Sequence, residues 1–523
     1  MSAPSPAPFE VIPYSIGDLE RLLVEKSRAG AHVITGKGHR AYFDEYFQHI
    51  GAVTIVVENE YTDRDFLEDF AAYYVRCFAD YRRTCARLHF FSLPFTHEDF
   101  ASFLDGSGTS LTEESLRSGY LGFIVVKPLP ETVIGRTCLR TYPTAIDARH
   151  FPLIRRYEAN LFGVQLSVET LAYQEQDRVA AACATSALWS AFQGTGRLFQ
   201  HPIPSPVEIT KAATAHSPIR TRTFPNSHGL TIEEMARAIQ YVGLEPLFVN
   251  VTNNAFLLKS TVYAYLKGSI PLILGHRLMD PTPPRDIGLH AVAVTGFNIG
   301  SSTPQPVGAG FQLRAARIDK FYVHDDQVGP FARMSFAGAI SGIPDAGISL
   351  MTSWGHSSGN HFRAVPLSLL VPLYHKIRIP FSPVALTVIA FDDFMEKARV
   401  ATSALPERVE WEIYLTTVSD LKASIARDPN VGGSYRADIL TTILPRYVWR
   451  ATALCADIPV LDLLFDATDI EQGTFFLRAI EYDAGLASVL RVVASQPGAI
   501  AAAHSRHDSQ LVEWFQRQPM PPI

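Results

Sequence analysis

The apolar residues of this chain come in short runs, none near the ~18 residues that a membrane-crossing helix needs. The longest, around Tyr120–Val126 and Ala291–Val294, have the length of single strands. Between such runs lie segments whose apolar residues recur every three or four positions. Strand-length runs mixed with helical stripes restrict the chain to a helix-and-sheet architecture and exclude a helical bundle. At 523 residues it can bury a large core without disulfide or metal support. With 47% hydrophobic and 19% charged residues it has the balance of a folded protein rather than a disordered one. A net charge of −6 argues against a chain-wide nucleic-acid or membrane-surface role. The five cysteines, Cys77, Cys85, Cys138, Cys183 and Cys455, make no C-x-x-C pair, and Met1–Phe9 has neither the basic nor the apolar part of a secretory signal. Free thiols in a reducing, cytoplasmic compartment are expected.

Three blocks are read along the chain: 1–160, 161–380 and 381–523. The first mixes strands Ala52–Val57, Leu88–Phe91 and Leu121–Val126 with helical Asp63–Arg83, Asp99–Leu104 and Glu113–Ser118. In the second, strand Val164–Leu171 precedes a helix starting at Cys183, and helix Leu230–Val242 has Thr231 as N-cap and Gly243 as stop. Strand Pro246–Val251, helix Ala255–Leu266 and strands Pro271–Leu274, His290–Gly296 and Lys320–His324 follow, with an exposed hairpin tip at Ser301–Gly310. The third reads as strands Ala385–Ala390, Glu410–Leu415, Tyr447–Leu454 and Pro459–Phe465 and helix Gln510–Arg517. The fold class is α+β, a central domain flanked by mixed α/β modules.

Phosphate-loop, H-E-x-x-H and G-x-S-x-G patterns are missing. Gly36–Lys37–Gly38 and Gly194–Thr195–Gly196 read as turns, and His356 and His361 as surface-loop histidines without an acidic or thiolate neighbour. No cofactor and no metal are expected.

The chemistry-bearing stretch begins at Gln174. After Cys183, the residues Ala184, Ala187, Leu188, Ala191 and Phe192 mark a helix buried along one side, so Cys183 sits in the first turn of a core helix. Open backbone N–H groups and the positive end of the dipole favour a thiolate there. The polar stretch Gln174–Arg178 can supply an amide donor for an oxyanion. A thiol nucleophile needs a base, and the base an orienting group. His290 opens a strand after a glycine-containing loop, and Asp325 follows the next strand, where a carboxylate can hold an imidazole in one tautomer. His276 is the rival base and Asp326 the rival orienter.

This order of glutamine, cysteine on a helix, histidine opening a strand and aspartate after a strand resembles the papain-like cysteine peptidases. The segment Gly288–Gly296, Gly-Leu-His-Ala-Val-Ala-Val-Thr-Gly, is similar to the histidine motif of the bacterial double-glycine-leader peptidases, and Gly229–Ile239 to the helix those proteins place between cysteine and histidine. The resemblance covers about Leu161–Phe336. It implies Cys183 as nucleophile, His290 as base and acid, Asp325 as orienter and Gln176 as oxyanion donor, with Gln174 as the alternative. The family's glycine after the cysteine is Ala184 here, and its glutamine six positions before the cysteine is Asp177. A cysteine peptidase acting on a peptide or protein substrate is expected, with no nucleic-acid or membrane partner. An acyl-transferring enzyme of the phytochelatin-synthase kind and a silent binding scaffold are the alternatives.

Overall fold

Tyr120–Val126 is buried along its entire length, as a continuous apolar run is when a sheet is covered on both faces, and so is Cys85–Phe91, whose Arg87 and His89 are paired with Glu58. They are inner strands of a five-stranded antiparallel sheet, completed by Phe9–Pro13, Thr54–Tyr61 and Ile134–Leu139, in which spatial order follows chain order. Helix Gly38–Ile50 packs onto this core through Phe43 and Phe47, the Phe47 ring 4.3 Å from that of Phe90. The computed structural model describes residues 7–518 apart from 109, 145–148, 178–181, 217–228, 301–302, 309, 344–345, 355–361, 471–474, 497 and 500–505. His356 and His361 lie outside the described residues.

A second sheet closes on itself. Its strands run in the order Leu272–Pro281, Pro284–Ile299, Ile318–Asp325, Gly329–Ala337, Ser349–Met351, Arg363–Tyr374 and Leu244–Asn250; Arg363–Tyr374 also pairs back onto the first, and the short Arg149–His150 adds to Pro284–Ile299. The cysteine helix, Cys183–Phe199, packs against the strand Leu272–Pro281. The remaining chain includes a four-stranded antiparallel sheet, Glu410–Thr417, Tyr447–Cys455, Ile458–Asp466 and Phe476–Glu481, with helices Phe381–Thr402 and Ala484–Ala494. The protein is thus α+β, built on antiparallel sheets. Contacts divide it into two units: Met1–Asn253, Ile270–Asn298 and Lys320–Pro372 form one, and Asn254–Ser269, Ile299–Asp319 and Leu373–Ile523 the other. Among the described residues no helix is long and apolar enough to cross a membrane.

Several local expectations change. The strand expected at Ala385–Ala390 is the middle of helix Phe381–Thr402. Its β-branched residues mimic a strand, but the buried positions Phe381, Val384, Ala385, Val388, Phe391 and Met395 keep a helical period over a longer window. The helix expected over Asp63–Arg83 is Arg64–Ala72, capped by Asp63, and ends where Tyr74 turns inward to donate to the buried Asp177. Gly194–Thr195–Gly196 continue the cysteine helix instead of turning, and a Cβ on Gly196 would come within 2.8 Å of the Ile203 side chain. The Thr231 cap is present as a capping box with Glu234, ahead of helix Ile232–Tyr241.

Candidate active site

The three site residues come from elements far apart in sequence within one unit. Cys183 is the first residue of its helix and is partly exposed. Its N-cap, Ala182, makes no side-chain capping bond, so the positive end of the helix is not quenched by a capping oxygen at that position.

His290 does not open a strand. Its strand starts at Pro284, because the chain pairs across the hairpin from Pro281↔Pro284 onward, and Gly288 sits inside it at φ +143°, beside a register shift at Leu278/Met279. Residues 284–289 of this strand are exposed and 290–298 buried, so His290 stands where the strand enters the core. Asp325 ends the neighbouring strand Ile318–Asp325, as expected.

His290 Nε2 lies 3.1 Å from Asp325 Oδ1, and the Cys183 side chain stands beside the imidazole, in the same pocket. With Nε2 directed at the carboxylate, Nδ1 is the nitrogen left for the sulfur. Burial by itself would strip the proton from His290; the Asp325 charge, its hydrogen bond, the Cys183 bond and the Asp326 charge outweigh burial and hold the imidazole pKa well above the ordinary histidine value. Asp325 is buried too, which opposes its charge, yet His290, the Trp354 indole N–H at 2.7 Å from Oδ2 and the Gln327 backbone N–H at 3.0 Å from Oδ1 keep it below the usual carboxylate range.

Two groups around this pair have only faint sequence signals. Trp354 bonds Asp325 and sets its ring edge-on to His290, centroids 5.1 Å apart at 73°. It is one of only five tryptophans in the chain, but nothing local ties it to the site. Gln327 touches Asp325 through its backbone and Asp326 through its side-chain amide, at 2.7 Å from Oδ2. Its adjacency to the two aspartates was the readable cue.

The rival base, His276, pairs opposite His290 on the adjacent strand, ring centroids 5.3 Å apart. Burial, with repulsion from His290, pushes its pKa down to about 3, so it is neutral and a poor proton acceptor. Cys183, His276 and His290 open onto one pocket of about 460 Å³, walled by Leu230, Ile232, Met235, Leu289 and Leu367, with the exposed Glu233 on its rim.

Gln176 lines a pocket of about 420 Å³ with Lys37, His39, Glu175 and Gln327, and neither it nor Gln174 is among the residues lining the pocket of Cys183. Asp177 is engaged by Tyr74, whose hydroxyl bonds both its oxygens. Gln174, by contrast, is buried, and its amide nitrogen has no hydrogen-bond partner in the structure. An unengaged buried donor of this kind can receive an oxyanion.

Among the described residues, one grouping has metal-ligand spacing: His290, Asp325 and Asp326, whose ligand atoms lie within 4.8 Å of one another. No family model matches the chain, and no curated protein is significantly similar to it.

Proposed function

We propose that this protein is a papain-like cysteine peptidase, a thiol-dependent amide-bond hydrolase that acts on a peptide or protein substrate. The observation that carries the reading is the grouping of thiol, imidazole and carboxylate: Cys183 and His290 line one pocket, and His290 Nε2 is held 3.1 Å from Asp325. A buried imidazole that keeps its proton beside a thiol suits a thiolate–imidazolium pair. The nucleophile's helix against a closed antiparallel ring that carries base and acid is the support such chemistry needs.

In this mechanism the Cys183 sulfur attacks the acyl carbon of a substrate seated in the apolar pocket. The oxyanion is received by an amide of Gln176 or Gln174 and by backbone N–H at the helix start. His290 gives its proton to the leaving amine, then takes one from the water that resolves the thioester. Asp325 and Trp354 keep the ring in one orientation throughout.

The test is intact-mass labelling with an electrophilic peptide, comparing the natural chain with Cys183→Ala. A single adduct that disappears in the variant is expected. Equal labelling of both would overturn the assignment. Product analysis with added amine then separates hydrolysis from acyl transfer.

A further inference from the structure

Asp326 is not a bystander to Asp325. Both carboxylates are buried, and both face the same nitrogen: His290 Nε2 is 3.1 Å from Asp325 Oδ1 and 3.6 Å from Asp326 Oδ1. Asp326 Oδ1 accepts no hydrogen bond, whereas its Oδ2 is held by the Gln327 amide at 2.7 Å. Asp325 is satisfied by three donors, from His290, Trp354 and Gln327. The two acids are therefore unequal: one is fully bonded, and the other has one oxygen turned toward the imidazole without a donor of its own. Two buried carboxylates this close resist ionising together unless a cation lies between them.

We propose that Asp326 is a second positioning carboxylate for His290: with Asp325 it clasps the imidazolium, and it takes up a proton on Oδ1 in acid, leaving Asp325 as the sole charged partner. The inference rests on the thiol–imidazole pair proposed above. The proton comes from water, goes to Asp326 Oδ1 and breaks no covalent bond. Burial and the Asp325 charge push Asp326 up to about 6, against the pull of His290, which agrees with such a step. The other titratable groups around the cluster are Tyr173, Glu175, His39, His276 and Cys183. Burial pushes His39 down to about 4 and His276 to about 3, and it raises Tyr173 far above its ordinary value, so none of these three titrates near pH 6.

The experiment needs no substrate. The alkylation rate of Cys183 by iodoacetamide is followed from pH 4 to 10 in the full-length natural chain, Asp326→Asn and His290→Ala, with folding checked by thermal melts. Loss of an opposing charge within ~4–6 Å lowers an imidazole pKa by roughly one to three pH units, so the alkaline step of Asp326→Asn should move down by about one pH unit or more, to a proton concentration at least about tenfold higher. Near pH 5, where Asp326 is already protonated, variant and natural chain should coincide. If the two profiles superimpose throughout while His290→Ala differs from both, the second-carboxylate role is overturned and the thiol–imidazole pair stands. If the natural chain and His290→Ala titrate alike as an ordinary thiol, the pair itself fails. Should Asp326→Asn not fold, Gln327→Leu carries the test, because loss of the amide donor makes Asp326 hold its proton to higher pH. The acid step should then move up, and an unmoved step overturns the proposal.

Discussion

A buried imidazole ordinarily sheds its proton, and four histidines here obey that rule: burial lowers His39 and His89 to about 4, and His276 and His324 to about 3. His290 is equally buried but faces Asp325 and Asp326, and the sign reverses. The contrast has a measurable cost at His324, which hydrogen-bonds Ser190 Oγ and faces no ionised partner. Its folded pKa lies below the unfolded value of ~6.5, so its contribution is present above pH 6.5 and is lost as pH falls toward 3. At ~1.4 kcal/mol per pH unit, the loss by pH 5 is about 2 kcal/mol. His324→Gln should therefore flatten the stability–pH curve by about that amount, read from urea midpoints at pH 7 and pH 5. Thiol reactivity divides along similar lines. Burial raises Cys138 to about 12 and pushes up Cys85 and Cys455, while the Cys77 thiol donates to the Tyr73 carbonyl at 3.8 Å. Limiting iodoacetamide should label Cys183 first, as peptide mapping will read. His290→Ala should cost roughly 10²–10⁴-fold in turnover. Asp325→Ala should cost less, because Asp326 still stands 3.6 Å from Nε2; steady-state kinetics on folded variants decides the order.

Elements place these residues through backbone demands that side-chain patterns show only in part. In the strand Tyr120–Val126, Gly122 has φ +119°, and a Cβ there would lie 1.9 Å from the Cys138 carbonyl oxygen. No side chain fits that gap. Gly122→Ala should lower stability by about 3 kcal/mol or more through strain and displacement of the neighbouring strand, seen as a reduced melting temperature or loss of soluble protein. The histidine strand shows what local reading can and cannot deliver. The apolar run Ala291–Val294 was legible as a strand, since it is the buried half. Residues 284–289 carry no such signal: they are exposed and paired across a hairpin, so their strand character comes from the partner Leu272–Pro281. The cysteine helix was readable from Cys183 onward because its buried face repeats with helical period, and the Thr231 cap was readable because capping is a short-range bond; its reciprocal partner Glu234 came from the structure.

At the scale of the molecule, the first 160 residues belong to the same unit as the site. Tyr42 donates to the Pro330 carbonyl, Glu45 pairs with Arg333, Lys37 with Glu175, and Thr137 and Tyr173 exchange backbone hydrogen bonds of 2.7 and 2.9 Å. A fragment 161–380 would strip Pro330, Arg333, Glu175 and Tyr173 of these partners, the last two being buried, and it would also carry segments 254–269 and 299–319 away from the C-terminal residues with which they cluster. That fragment should be unfolded or aggregated by circular dichroism and gel filtration, whereas the full chain should melt cooperatively. A folded, reactive fragment would mean that the flanking residues are dispensable.

What the sequence determined by itself was much of what acts over a few residues: the mixed α+β class, the helix start at Cys183, the strand that delivers Asp325, and the Thr231 cap of Ile232–Tyr241, though not the helix at Ala385–Ala390 or the end of the helix after Ala72. Only the tertiary structure decided which polar residues share a site. It buried Gln174 with an unengaged amide and brought Trp354 and Gln327 onto Asp325. It also set both Asp325 and Asp326 against one imidazole nitrogen. The reason is physical: period and propensity report a residue's own neighbours along the chain, while burial, charge pairing and hydrogen-bond satisfaction depend on groups that only closure of the strand ring brings within a few ångströms.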